Sequence, residues 1–160
     1  MTRQRVFVVG AGQMGSGIAQ VFAQSSYEVI LYDKDSAALQ RAQDQIERLL
    51  QRSVEKERMT LDAKEATMHS LQFATVLDRV QDADLVVEAI VENMEVKKTL
   101  FQALDKLAPT HAILATNTSS LSITEIASVT NRPEKVIGMH FMNPVPVMEL
   151  VEVIRASQTS

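Results

Sequence analysis

The sequence predicts an α/β fold, in which a doubly wound, mostly parallel β-sheet carries helices on both faces. Its strand candidates are short runs of consecutive apolar residues, which is typical of strands covered on both faces. These runs alternate with longer segments of helical periodicity, an order that favours parallel strands joined by crossover helices. Glycine or polar residues follow most of the runs, at the sheet edge where such folds bind ligands.

The composition is that of a globular domain and argues against several functions. The chain has 160 residues, 46% of them hydrophobic and 22% charged, which suits one domain with its own core. A net charge of −4 without a Lys/Arg stripe argues against nucleic-acid binding. No apolar run is long enough for a membrane span or a signal peptide, so we expect a cytoplasmic protein that does not bind membranes.

Cysteine and histidine usage gives no sign of a metal site. The chain has no cysteine, which excludes disulfides and thiolate ligands. Its three histidines, His69, His111 and His140, are scattered along the sequence and form no ligand cluster. We therefore expect no metal cofactor.

The first strand candidate, Arg5 to Val9, runs into a glycine-rich loop. The loop is Gly10-Ala11-Gly12-Gln13-Met14-Gly15, and an apolar-periodic helix follows from Ser16. In this pattern the first glycine permits a tight turn, the second lets the backbone approach a pyrophosphate, and the third lets helix and strand pack closely. The free N–H groups of the helix N-terminus favour phosphates. Strand, loop and helix together predict a Rossmann-type dinucleotide site.

An acid ends the second strand candidate, Tyr27 to Asp33. Asp33 lies 21 residues after Gly12 (33 − 12), close to the separation expected for an acid that binds the ribose. Its carboxylate suits both ribose hydroxyls and repels a 2′-phosphate, so we expect NAD rather than NADP. The adjacent Lys34 keeps NADP open, because a basic neighbour tolerates the extra phosphate.

Two helices are expected at about residues 36–70, the second with Thr60 as its N-cap. The first has five apolar residues on one face, Leu39, Ala42, Ile46, Leu49 and Leu50. The pair is longer than a crossover needs, so we expect a helical hairpin that projects from the fold as structural decoration or as a substrate-binding arm. Three basic residues there either contact phosphates or form a solvated face, namely Arg52, Lys56 and Arg58.

The second half of the chain predicts the rest of the sheet. Strands are expected at about residues 73–75, 84–92, 112–116 and 136–141, with Glu92 at the end of the second of these. Met94 to Leu107 reads as an amphipathic helix with five inward residues, Val96, Leu100, Phe101, Leu104 and Leu107. A short helix at residues 122–127 has Ser122 as its N-cap and Glu125 as the partner in a capping box.

A histidine and a glutamate flank a proline-rich return near the end of the chain. The return is Asn143-Pro144-Val145-Pro146, which cannot be helical because each proline lacks an N–H and restricts the preceding residue. A strand on each side of it would bring Glu152 beside His140. A histidine polarised by a carboxylate is a general base near neutral pH. Alternatively, His140 is a structural residue at a strand end and Glu152 is solvated.

The predicted carboxyl ends of five strands carry polar residues or glycines. They are the glycine loop, Asp33, Glu92, Asn117-Thr118-Ser119 and His140. Because the carboxyl ends of parallel strands share one edge of a sheet, we expect these groups to converge on one crevice.

On these residues the chain resembles the N-terminal, NAD-binding domain of the L-3-hydroxyacyl-CoA dehydrogenase family, which includes 3-hydroxybutyryl-CoA dehydrogenases. The likeness covers nearly the whole chain. It is carried by the glycine loop, by Leu85 to Asn93, by Thr116 to Leu121, and by His140 to Pro146 together with Glu152.

The resemblance implies a role for each of these residues. His140 would remove the 3-hydroxyl proton while hydride passes from C3 to the nicotinamide, Glu152 would orient the imidazole, and Ser119 would hydrogen-bond the substrate. Four residues would contact NAD, namely Glu92, Lys97, Asn117 and Asn143. The helical hairpin would hold the CoA portion, with Lys56 at a phosphate.

The family also carries a second, helical domain that closes over the substrate, forms the dimer and supplies a catalytic asparagine. We expect residues 1–160 to form the NAD-binding domain alone, with cofactor binding and little or no turnover. Two alternatives stay open, a gulonate-type dehydrogenase acting on a free 3-hydroxy acid and a nicotinamide-binding regulatory module without turnover. The set of Ser119, His140 and Glu152 argues against the module, which has no need of it.

Overall fold

The computed structural model describes residues 4–90, 93–117, 123–141 and 151–155. Its strands are β1 (Arg5–Val9), β2 (Glu28–Tyr32), β3 (Leu71–Ala74), β4 (Leu85–Glu88), β5 (Ile113–Thr116), β6 (Val136–Phe141) and β7 (Val151–Arg155). Its α-helices are α1 (Gln13–Gln24), α2 (Ser36–Glu55), α3 (Leu61–His69), α4 (Met94–Leu107) and α5 (Ile123–Ala127). Short 3-10 helices lie at Leu77–Asp82 and Pro133–Lys135.

The strands form one sheet in the order β3-β2-β1-β4-β5-β6-β7. Neighbouring strands from β3 to β6 are parallel, and β7 is antiparallel to β6. The chain leaves β1 towards β2 and β3 and then returns to the other side of β1 at β4. The strand order therefore reverses between β1 and β4, and the predicted doubly wound, mostly parallel fold is confirmed.

Each face of the sheet has its own hydrophobic core, because successive strand residues point to opposite faces. In β1, Val6 and Val8 pack into the core that contains Ile18 of α1 and Ile46 of α2. The alternate residues of β1 belong to the other core, which contains Phe101 and Leu104 of α4. The strands are covered on both faces here, as continuous apolar runs predict.

The helices between β1 and β3 differ in detail from expectation. Helix α1 begins at Gln13 rather than Ser16, because Gly12 is its N-cap and the end of the glycine loop is already helical. The N-cap role of Thr60 is confirmed, since its hydroxyl accepts the Ala63 N–H at 3.0 Å. Helix α2 buries Leu39, Ala42, Ile46 and Leu50 on one face, and a projecting hairpin of α2 and α3 that acts as an arm stays a prediction.

Strand β4 is shorter than the predicted 84–92. It ends at Glu88, whose carboxylate oxygen Oε2 accepts the Ile90 N–H at 2.7 Å and turns the chain out of the sheet. Strand β3 lies at Leu71–Ala74, somewhat before the predicted 73–75. The predicted cap residue Ser122 lies outside the described residues. The side chain of Glu125 bonds the Lys98 ammonium at 2.9 Å.

Helix α4 has the predicted bounds, but one inward residue was wrong. Val96 is 46% exposed, whereas the neighbouring Lys97 is fully buried. The physical reason is an ion pair: the Lys97 ammonium lies 3.1 Å from the equally buried carboxylate of Glu88. The other four predicted residues do pack inward, so the charge pair changes only which residue is buried in the first turn of the helix.

The far end of α4 is held by a second buried pair. The Arg132 Nε donates to Asp105 Oδ1 at 2.8 Å, and the two side chains are 9% and 6% exposed. The other guanidinium nitrogens donate to the carbonyl groups of Asp105, Ala108, Pro109 and Ala112. Arg132 therefore satisfies the last carbonyls of the helix, which lack intrahelical partners.

Candidate functional site

The glycine loop lies at the strand-order reversal and is shaped by two glycines that the fold requires. Gly10 has φ +107°, and a Cβ there would lie 2.7 Å from the Ala89 carbonyl oxygen. A Cβ at Gly15 would collide with the Gly10 carbonyl oxygen. The Gly10 N–H also donates to the Tyr32 carbonyl at 2.8 Å, which ties the loop to the end of β2. The loop is thus clamped between β2 and the segment after β4.

Gly12 differs from the other two glycines, because its surroundings are open. A Cβ there would meet no atom within 4 Å, and its φ of −75° is ordinary. Gly12 is the N-cap of α1, and no side chain of the described residues caps that helix. The first N–H groups of α1 therefore face open space beside Gly12. Such a helix N-terminus favours an anion through its free donors and its dipole.

Asp33 follows β2 and is half-buried. Its Oδ2 accepts the Ala11 N–H at 2.9 Å, and its Oδ1 accepts the Asp35 N–H at 2.9 Å. The carboxylate is therefore fixed beside the glycine loop, where each oxygen still has a lone pair for a further donor. Gly12, the N-terminus of α1 and Asp33 fit the pyrophosphate and ribose of a dinucleotide.

A buried charged cluster lies on the other side of the reversal, at the ends of β4 and β5. Glu88 Oε1 is bonded by the Lys97 ammonium at 3.1 Å and by the Thr116 hydroxyl at 2.5 Å. All three side chains are fully buried. Burial raises the pKa of Glu88, and the Lys97 charge and the hydrogen bonds from Thr116 and Ile90 oppose that rise. A buried charge is tolerated only with such partners.

Lys97, which the resemblance assigns to the cofactor, thus has its ammonium in this buried pair. Asn117 follows Thr116, and its backbone N–H donates to the Glu88 carbonyl at 2.8 Å. Two more residues of that assignment, Glu92 and Asn143, lie outside the described residues, as does Ser119.

His140 and Glu152 are brought together by the backbone. They occupy directly paired positions on the antiparallel strands β6 and β7. The proline-rich return between the two strands lies outside the described residues. The expected approach of the two positions is present, and the roles of the two side chains stay predictions.

Lys56 lies apart from the glycine loop in the fold. It is the C-cap of α2 and is exposed at the turn into α3, together with Arg52 and Arg58. All three are solvated in this structure, and a phosphate contact stays a prediction. In the part of the chain that the structure describes, no group of three or more His, Cys, Asp or Glu side chains could hold a metal.

The cluster of Glu88, Lys97 and Thr116 was not among the functional residues predicted from the sequence. A signal was present, because an acid inside a continuous apolar run needs a buried partner. Lysine nine residues later on the following helix is a candidate for that partner. Helical periodicity instead predicted Val96 as the inward residue.

Comparison with known proteins identifies the family. Residues 5–160 match the family described as "3-hydroxyacyl-CoA dehydrogenase, NAD binding domain". The chain belongs to this family. NAD is the cofactor that these domains bind, which confirms the prediction from the glycine loop and Asp33.

Two curated relatives are similar over nearly all of the chain. The "Probable 3-hydroxybutyryl-CoA dehydrogenase" of Bacillus subtilis is 49% identical over 160 residues, which are 100% of this chain and 56% of that protein. A protein of the same printed name from Deinococcus radiodurans is 51% identical over 153 residues, which are 96% of this chain and 55% of that protein. The chain thus spans about half the length of these relatives.

Solved structures show the same fold. The crystal structure of 3-hydroxybutyryl-CoA dehydrogenase from Escherichia coli K12 superposes with a TM-score of 0.97 at 44% identity. The match covers 100% of this chain and 34% of the other. The described residues include no helix long and apolar enough to cross a membrane.

Proposed function

We propose that the chain is the cofactor-binding part of an NAD-dependent 3-hydroxyacyl-CoA dehydrogenase. The enzyme would oxidise L-3-hydroxyacyl-CoA to 3-oxoacyl-CoA in fatty-acid or butyrate-type metabolism. The observation that carries the proposal is the direct pairing of His140 with Glu152 on the sheet that also holds the glycine loop. The family match over residues 5–160 supports the same substrate class.

In the proposed reaction His140 is the general base. The C3–H bond breaks with its electron pair, the hydroxyl proton passes to an imidazole nitrogen, and the C3–O bond becomes a carbonyl. When bound, NAD⁺ would supply the acceptor for that hydride. Glu152 orients the imidazole and stabilises its charged form, as a carboxylate does for a histidine base. Ser119 holds the reacting oxygen by a hydrogen bond.

The remaining residues of the proposed site bind the cofactor or the substrate. Gly12 and the N-terminus of α1 receive the pyrophosphate, and Asp33 receives the adenosine ribose. The proposed contacts to the rest of NAD are Ala11, Gln13, Met14, Glu92, Asn117 and Asn143, whereas the Lys97 ammonium is buried in its pair with Glu88. Lys56 on the exposed turn after α2 is the proposed contact to a CoA phosphate.

Partners and location are part of the same proposal. The curated relatives are nearly twice as long as this chain, and we propose a second domain that completes the substrate site and forms a homodimer. A cytoplasmic location is in keeping with these bacterial relatives. Neither nucleic acid nor a membrane is a proposed partner.

A titration with NADH, NADPH and acetoacetyl-CoA tests the function. Nicotinamide fluorescence reports binding, and its loss after addition of the thioester reports turnover. We expect the 160-residue chain to bind NADH tightly and NADPH more weakly, and to oxidise NADH slowly or not at all. Oxidation with a free 3-oxo acid but not with the thioester would favour a gulonate-type dehydrogenase. Failure to bind either nucleotide would overturn the proposal.

His140→Gln tests the base in a form of the chain that shows turnover. Removing the base should lower kcat by about 10²–10⁴-fold, the usual contribution of general acid–base catalysis. NADH affinity should not change, because His140 is proposed to act on the substrate hydroxyl. Turnover at the original rate would remove His140 from this role, and NADH binding without turnover in every form would favour the regulatory module.

A further inference from the structure

The carboxylate of Glu88 joins three elements at the crevice. It accepts the Ile90 N–H in the turn after β4, the Thr116 hydroxyl at the end of β5, and the Lys97 ammonium on α4. Glu88 is also the register partner of Val9 in β1 and of Thr116 in β5. No part of the proposed reaction uses this carboxylate, although it lies at the centre of the sheet edge that binds the cofactor.

The glycine loop is held at that edge without the Glu88 side chain. The glycine loop packs on Ala89, whose N–H donates to the Val9 carbonyl at 2.8 Å. That contact needs no Glu88 side chain. The carboxylate instead holds the Ile90 N–H in the turn after β4 and the Thr116 hydroxyl at the end of β5, where the Glu88 backbone carbonyl also accepts the Asn117 N–H. The turns after β4 and β5 lead to Glu92 and Asn117.

The order of the strands indicates which half of NAD meets those turns. In the proposed function the adenosine ribose binds Asp33 after β2, and the pyrophosphate binds the glycine loop after β1. Beyond β1 the next strands of the sheet are β4 and then β5, each about 4.8 Å from its neighbour. A dinucleotide that starts at β2 and passes over β1 would therefore continue over β4 and β5. The nicotinamide half therefore meets the turns after β4 and β5.

We propose that Glu88 is a positioning residue that holds the nicotinamide half of the cofactor site by fixing the turns after β4 and β5. The inference rests on the proposed function and adds to it a residue that binds no ligand itself. Removing a donor from the carboxylate should weaken binding of the nicotinamide half and leave the binding of ADP-ribose nearly intact.

Thr116 offers the matched pair of variants. Thr116→Val keeps the shape of the side chain and removes the hydroxyl, whereas Thr116→Ser keeps the hydroxyl and removes a methyl. Thr116 is fully buried, so both variants should lose some stability. Only Thr116→Val leaves Glu88 Oε1 without this donor. Glu88→Gln is the direct but harsher variant, because it leaves the Lys97 ammonium buried without its charge partner.

Asp105→Asn is the control for lost stability. It removes the charge of the other buried acid–base pair, Asp105 with Arg132. Asp105 lies eight residues beyond Lys97 on α4 (105 − 97), about 12 Å along the helix axis at 1.5 Å per residue. Because the Asp105 carboxylate bonds Arg132 and the Asn131 N–H, a variant destabilised there should leave the turns after β4 and β5 unchanged.

The experiment measures the dissociation constants of NADH and ADP-ribose for the 160-residue chain and each variant, at a temperature where thermal unfolding shows all to be folded. We expect Thr116→Val and Glu88→Gln to weaken NADH by about ten- to a hundredfold, as lost positioning does. The dissociation constant of ADP-ribose should change by less than about threefold, as is usual for a substitution that does not contact the ligand. Thr116→Ser and Asp105→Asn should bind both ligands as the unaltered chain does.

Three results would overturn the inference. Unchanged NADH affinity in Thr116→Val would show that the hydroxyl–carboxylate bond positions nothing, even if Glu88→Gln fails to fold. Equal losses for NADH and ADP-ribose would show a general structural role. If the unaltered chain binds neither ligand, the proposed function fails first and takes this inference with it.

Discussion

Strand β4 is bracketed by two acids that make similar contacts in different surroundings. Asp84, just before the strand, accepts the Arg5 N–H of β1 at 2.9 Å and pairs with His111 Nε2 at 2.7 Å. Glu88, the last residue of the strand, bonds Thr116 and Lys97 at the opposite edge of the sheet. The Asp84 side chain is 37% exposed, whereas Glu88 is fully buried.

The surroundings of the two acids shift their pKa values in opposite directions. Hydrogen bonds from the Arg5 N–H and from His111 lower the pKa of Asp84. Burial raises the pKa of Glu88 despite its three donors and the Lys97 charge. Access to solvent, rather than the number of partners, therefore decides the direction. Asp84 contributes stability above its unfolded pKa that is lost on acidification, whereas the Glu88 contribution is present at low pH and lost as pH rises.

Lys97→Met removes the charge partner of the buried acid, Glu88, and should have the largest effect on stability. It leaves Glu88 buried without its counter-charge, so the free energy of unfolding at pH 7 should fall by about 3–5 kcal/mol. Glu88 then folds in its protonated form, so the variant should gain stability as pH falls from 7 to 5. Urea unfolding across that range measures both effects.

The double variant Glu88→Gln/Lys97→Met is the control, because it buries no charge. It should be more stable than Lys97→Met alone and should lack the gain in stability between pH 7 and 5. A Lys97→Met chain as stable as the unaltered one would show that the pair contributes nothing.

Asp33→Ala tests whether Asp33, whose carboxylate bonds only backbone N–H groups within the chain, contributes to nucleotide affinity. The substitution removes the proposed ribose acceptor and the Ala11 contact. NADH binding should weaken by about 1–3 kcal/mol, the scale of hydrogen bonds to a charged group. Since the repulsion of a 2′-phosphate is lost too, the difference between NADH and NADPH should narrow. Fluorescence titration with both nucleotides checks this, and an unchanged difference would contradict the ribose assignment.

Asp84→Asn should give the smallest effect, at the exposed end of β4. It keeps an oxygen that accepts the Arg5 N–H and removes only the charge. Because the side chain is more than a third exposed, solvent screening should hold the loss at pH 7 to about 1 kcal/mol or less. The difference from the unaltered chain should begin to shrink as pH falls below about 4, the ordinary pKa of an aspartate, and should vanish only below the lowered pKa of Asp84 in the folded chain. A difference that grows on acidification would reverse the assigned direction.

The fold was predictable because its signals are local. The run from Arg5 to Val9 shows burial on both faces, and the glycine pattern fixes the turn into α1. The prolines after Asn143 implied a return, and β7 pairs with β6 so that Glu152 lies opposite His140. Each of these features depends on neighbouring residues or on one pairing.

The buried cluster was not predictable in the same way, because it joins residues that meet only in the folded sheet. Periodicity placed Val96 inward, and the acid in an apolar run indicated only that Glu88 needs a buried partner, not that Lys97 and Thr116 both bond it. The sequence likewise suggested Asp33 as a ribose ligand without its second contact, the Ala11 N–H. Long-range polar contacts therefore need the structure.

The three glycines of the loop differ in what depends on them. Gly10 and Gly15 have no room for a side chain, so a substitution at either should lower the amount of folded protein. Gly12 borders open space, and an alanine there meets no protein atom. Natural variants at positions 10 and 15 should thus behave as loss-of-abundance alleles. A variant at position 12 should accumulate to normal levels and lose only its nucleotide.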